Sequence, residues 1–94
     1  MNKVIWKTQL RFGNPVRAEF HGRDPMPVHV DVQDGVIAVW TEHDFYKTNG
    51  TTWVEYKIVG TGFAYNSVWE HAGTVLDHEN GILWHVLYAV EPGR

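Results

Sequence analysis

The chain has 94 residues, no cysteine and a formal net charge of −3, from 8 basic and 11 acidic side chains. A length of this order holds one domain (1–94) around one core, and the lack of cysteine excludes disulfide staples and thiolate metal sites. The charge balance argues against a surface for duplex nucleic acid, which needs a basic stripe. No apolar run approaches the roughly 18 residues of a membrane span. Met1–Leu10, interrupted by Lys3 and Lys7, does not read as a signal peptide. A soluble cytoplasmic protein is expected.

In chain order, Val4–Leu10 alternates Val4, Trp6 and Thr8 against Ile5, Lys7 and Gln9 and reads as a strand, ended by Gly13-Asn14-Pro15. Val16–Phe20 is a short second strand, with Val16, Ala18 and Phe20 on one face. His21–Pro27, with one glycine and two prolines, reads as a loop. Pro27–Thr41 is a β-hairpin closed by Asp34-Gly35, because a type I′ turn needs positive φ at both central residues. That turn pairs Gln33 with Val36, Asp31 with Ala38 and His29 with Trp40. Val28, Val30, Val32, Ile37 and Val39 then form the expected core face, and His29, Asp31, Gln33, Val36, Ala38 and Trp40 form the other.

Glu42–Gly50 reads as a polar connection carrying Phe45 and Tyr46. Thr51–Val59 is a β-branched and aromatic strand, broken by Gly60-Thr61-Gly62. Phe63–His71 is a loop, or at most one helical turn, holding Phe63, Tyr65 and Trp69. Thr74–His78 and Ile82–Val90 make a last hairpin, and a tight Asn80-Gly81 turn would set Leu76 against His85 and Asp77 against Trp84. The last strand is apolar on both faces, which calls for a central strand covered twice or for a subunit contact, and so raises homo-oligomerisation. With no helical period of useful length, the fold class is all-β: a single small antiparallel sandwich or open barrel of about seven strands. Trp6, Trp53 and Trp84 are expected mostly in the core.

Six histidines invite a metal hypothesis, yet His71, His78 and His85, seven apart, cannot share one helix across Asn80-Gly81. His29-Val30-Asp31 lacks a third ligand, so no metal and no cofactor is expected. Ser67, the lone serine, has no elbow glycines around it. Asp77 opposite Trp84 would be a carboxylate raised by apolar neighbours. These fragments do not assemble the roles an active site needs, and no enzyme is expected; a small hydrolase using His29 and Asp31, or His85, is the remaining catalytic reading. Gly60-Thr61-Gly62 reads either as a plain bend or as a turn whose amides approach an anion. The loop aromatics read either as plugs closing the sandwich or as walls of a pocket for a planar ligand or protein partner. The candidate binding set is Gly60, Thr61, Gly62, Tyr65, Trp69, Phe45, Tyr46 and Trp40.

Ile5-Trp6-Lys7, Val32-Gln33-Asp34-Gly35 with Trp40, Ile58-Val59-Gly60-Thr61-Gly62, Ala72-Gly73-Thr74 and Trp84-His85-Val86 together carry a resemblance. Across nearly its whole length the chain resembles a family of small uncharacterised proteins encoded mainly by bacteriophages of actinobacteria. It departs from that family at Phe63, where a histidine usually follows the Gly-Thr-Gly. The resemblance implies a phage origin and expression in the cytoplasm of a bacterial host. It brings no activity with it. The functional expectation is a non-enzymatic binding protein, a sponge or inhibitor that sequesters a nucleotide-like signal or a host protein. A structural or accessory phage domain working through protein contacts is the alternative.

Overall fold

The computed structural model describes residues 2–45 and 50–91. They form β1 (Asn2–Gln9), β2 (Val16–Phe20), β3 (Gly22–Gln33), β4 (Val36–Phe45), β5 (Thr52–Gly60), β6 (Glu70–Asp77) and β7 (Ile82–Glu91). Two antiparallel sheets result, ordered β1-β4-β3 and β2-β5-β7-β6, with no ladder joining them, so the fold is a small sandwich and not a barrel. Among the described residues no helix is long and apolar enough to cross a membrane.

The Asp34-Gly35 turn is as expected, with φ of 52° and 78°, and it sets Gln33 against Val36, Asp31 against Ala38 and His29 against Trp40. The core between the sheets gathers Ile37 and Val39 of β4, Phe20 of β2, Val54 and Tyr56 of β5, Val75 of β6 and Val86 of β7. Tyr56 and Thr41 share a buried hydrogen bond of 2.6 Å that ties β5 to β4 across the sandwich. Burial pushes the Tyr56 phenol up to about 12, against the opposing pull of the Thr41 bond.

Several expectations are corrected. The segment His21–Pro27 is not a loop beyond His21: β3 begins at Gly22 and runs through it as a bulged edge strand, with register shifts at Arg23/Met26 and Pro27/His29. Bulges on an edge strand are where proline is tolerated, because no ladder donor is missed there. The second bulge expels Val28, which is half exposed, and Val32 opens onto the end of the sandwich instead of joining the core. Glu42–Phe45 is not a connection but the end of β4, paired with β1. Trp53 lies on the outer face of the second sheet under the Arg17 guanidinium, 4.4 Å from the ring centre. Trp6 is partly exposed, stacked on Phe20 at 5.8 Å.

His43 is the exceptional core residue. Its ring is buried against Trp6 at 4.6 Å and Phe20 at 4.8 Å, and neither ring nitrogen has a hydrogen-bond partner among the described residues. Burial lowers its pKa below the usual histidine value; His21 lowers it further and Asp44 opposes.

The last hairpin also differs from expectation. Asp77 pairs with Ile82, leaving four residues in the loop, and Gly81 N donates to Asp77 O at 2.7 Å. The Asp77 carboxylate accepts from the Glu79 and Asn80 amides and from the Asn80 side chain. Such capping by an aspartate favours the wider loop over a two-residue Asn-Gly turn. Asp77 is therefore not set against Trp84, and its pKa is lowered, chiefly by the Asn80 side chain. That correction removes it as a general acid near neutral pH.

Candidate functional site

The wider loop slides β6 by two residues relative to the expected register, which keeps every side chain on its face but changes its neighbours. His85 of β7 now faces Thr74 instead of Leu76. A bulge between His71 and Gly73 adds one residue to β6, so His71 and Thr74, three apart, come to the same outer face. In an unbroken strand they would point to opposite faces. Two irregularities thus assemble one cluster.

The third contributor is the Gly60–Phe63 turn. Phe63 N donates to Gly60 O at 3.3 Å and Gly62 has φ of 92°, the position where a type II turn wants glycine. This turn presents the Thr61 hydroxyl to His85. The result is a continuous hydrogen-bonded chain: Thr61 Oγ1 to His85 Nε2 at 2.8 Å, His85 Nδ1 to Thr74 Oγ1 at 2.9 Å, and Thr74 Oγ1 to His71 Nε2 at 2.9 Å. The two imidazole centres lie 5.8 Å apart.

Topology supplies the wall. β7 lies between β5 and β6, so the segment 61–69 must pass β7 to join them. Leu87, on the outer face between Lys57 and His71, is fully buried although it stands outside the core cluster. Trp69 lies under the Lys57 ammonium, 4.4 Å from its ring centre, a cation–π contact on that same face. Asn66 closes the segment with a backbone turn to Trp69 and a side-chain bond to the Val68 amide. A cavity of about 190 Å³ remains beneath it, lined by Val59, the Gly60–Gly62 turn, Phe63, Tyr65, His71, His85 and Leu87. Phe63 and Tyr65 stay largely exposed at its rim.

Gly60, Thr61, Gly62 and Tyr65 of the expected set therefore meet at one cavity, with Trp69 beside it. Trp40 does not join them. It sits on the outer face of the other sheet, 5.1 Å from His29 and below Lys7. Phe45 is held in β4 of that same sheet. Tyr46 lies outside the described residues. The sequence raises His71 and His85 only as metal ligands, and His85 also as a hydrolase residue, and does not single out Thr74; the one usable signal for their meeting is Gly73, which marks a bulge or a close approach. His29 and Asp31, 3.6 Å apart, are both exposed. Among the described residues no three His, Asp or Glu side chains converge as metal ligands.

The same segments that build this cavity lie inside a match covering residues 1–94. The chain belongs to the family described as Domain of unknown function (DUF7352). No curated protein and no solved structure matches it.

Proposed function

We propose that this protein is a non-enzymatic binding protein whose ligand site is the cavity between the 61–69 segment and the outer face of β7. The observation that carries the reading is the Thr61–His85–Thr74–His71 chain, a set of oriented polar groups under exposed aromatic rings. A few placed polar groups in an otherwise apolar and aromatic hollow are the usual make-up of a small-molecule site. At about 190 Å³ the cavity suits one ring or one compact polar group, less than the ~300 Å³ at which drug-sized pockets begin. The remainder of a ligand would lie across Phe63 and Tyr65. On this reading the protein is a phage-encoded sponge or inhibitor acting in the host cytoplasm on a nucleotide-like signal or a host protein.

The test is native mass spectrometry of the purified protein before and after incubation with bacterial extract. A discrete added mass, lost in Tyr65→Ala, supports the binding reading. A second reading, a structural or accessory domain, is favoured by the exposed Leu76, Ile82 and Leu83 on the last hairpin. It predicts no added small mass and recovery of the protein in purified virions.

A further inference from the structure

Two larger cavities differ from this one in charge. One of about 460 Å³ is bordered by three carboxylates, Asp24, Glu70 and Glu91, against the single cation Arg23, with Glu91 also paired to Arg17, and one of about 390 Å³ by Asp77 and Glu79. The cavity beside β7 has no carboxylate in its lining; its polar groups are a hydroxyl, two imidazoles, a tyrosine and a glycine turn. Lys57 lies on the same face. Among the described residues, an anion in this cavity therefore faces no lining carboxylate.

The hydrogen-bonded chain adds a directional argument. A hydroxyl carries one proton, and a neutral imidazole donates from one nitrogen and accepts at the other. With neutral rings, and with Thr74 spending its proton within the row, the four groups align in two ways. In the first, Thr61 O–H donates to His85, His85 Nδ1–H to Thr74, and Thr74 O–H to His71 Nε2. Thr61 then turns only lone pairs to the cavity. In the second, His71 Nε2–H donates to Thr74, Thr74 O–H to His85 Nδ1, and His85 Nε2–H to Thr61, whose own proton is left free to donate. An anion selects the second alignment, and each donor in that row polarises the next.

We infer that the cavity takes the phosphate group of a phosphate ester, read by the Thr61 hydroxyl, with a planar group of the same ligand laid on Phe63 and Tyr65. This rests on the binding reading above and deepens it. His85, Thr74 and His71 are positioning residues: they set where the Thr61 proton points. Occupation of the cavity fixes the tautomer of His71 as Nε2–H, although His71 is the far end of the row.

The test uses three probes in phosphate-free buffer: inorganic phosphate, adenosine 5′-monophosphate and adenosine. Long-range ¹H–¹⁵N spectra of the histidine rings are recorded in the wild type, Thr61→Val and Thr61→Ser. The expected result is that phosphate and the monophosphate, but not adenosine, move His71 and His85 toward Nε2–H. Thr61→Val, which is near-isosteric but lacks the hydroxyl, weakens the monophosphate about tenfold or more, the usual size of a hydrogen bond to a charged group. Thr61→Ser retains binding. If adenosine and the monophosphate bind at Tyr65 alike, indifferent to Thr61→Val, the phosphate inference is overturned while the ligand site stands. If no probe moves a resonance of the cavity, the phosphate inference falls, and the binding reading falls with it only if bacterial extract likewise adds no mass.

Discussion

The two outer faces of the sandwich begin from similar materials and end differently. On the first sheet, Trp40 is flanked by Lys7 and His29, with Asp31 near the histidine. On the second, Trp69 meets Lys57, and His71 and His85 lie alongside. The first face stays an open strand surface whose side chains meet only their neighbours. The second is crossed by the 61–69 segment, because β5 and β6 are separated by β7. That crossing buries Leu87, brings Thr61 to His85 and leaves a cavity. Strand order, more than residue type, separates a surface from a site.

The sharpest way to break this comparison is to truncate one apolar side chain on each face. Leu87→Ala should cost about 2–5 kcal/mol, the range for a fully buried leucine. Ile5→Ala, on the exposed first face, should stay within about 0.5 kcal/mol. Urea denaturation measures both, and equal effects would mean that the crossing segment does not cover β7.

A smaller effect is expected at Gly73, beside the bulge that turns His71 outward. A Cβ there would lie 2.7 Å from Val30 Cγ2, so Gly73→Ala forces β6 away from β3. Overpacking of this kind costs about 1–3 kcal/mol. The variant should also separate the His71 and His85 ring signals from each other's influence, because the bulge brings His71 to the face that carries His85.

Smaller again, Tyr56→Phe removes the Thr41 bond at the centre of the sandwich, costing about 1 kcal/mol. It also removes an alkaline transition. The folded phenol titrates at about 12 against an ordinary 10.0, so the unfolded chain loses the proton first. Stability is complete below pH 10 and falls as pH rises toward 12. Thermal melts of the wild type should show this decline, and melts of Tyr56→Phe should show less of it.

His43 works in the opposite direction. Its folded pKa lies below the ordinary 6.5, so on acidification the unfolded chain takes up a proton that the folded chain refuses. Stability is complete above pH 6.5 and declines below it until the folded pKa is reached. His43→Leu should flatten that slope below pH 6.5 in equilibrium unfolding. An unchanged slope would show that the ring is not held neutral by burial.

The legible parts of the fold were those encoded locally. Asp34-Gly35 determines its turn type by backbone sterics alone, and the register from Gln33 to His29 follows from it. The second hairpin misled because Asn80-Gly81 carries the same signal while Asp77 captures the loop with three hydrogen bonds. The proline-rich start of β3 read as a loop because β4 rescues it from outside, pairing with Arg23 and Met26 around a bulge. Site legibility followed the same rule. Gly60, Thr61, Gly62 and Tyr65 lie in one short stretch and were found together. Thr74 and His71 depend on a register slip and a bulge, neither of which leaves a spacing signature. Trp40 and Phe45 lie on the other sheet, away from that cavity, and an aromatic in sequence does not reveal which sheet will carry it.

The most direct test of the central claim, that one hydrogen-bonded row runs from Thr61 to His71, is the histidine ring ¹⁵N spectrum of Thr74→Val without ligand. The account predicts that His71 and His85 both shift, since Thr74 hydrogen-bonds to both rings, while the exposed His29 on the opposite face does not move. A change at His85 alone, with His71 at its wild-type position, would contradict it.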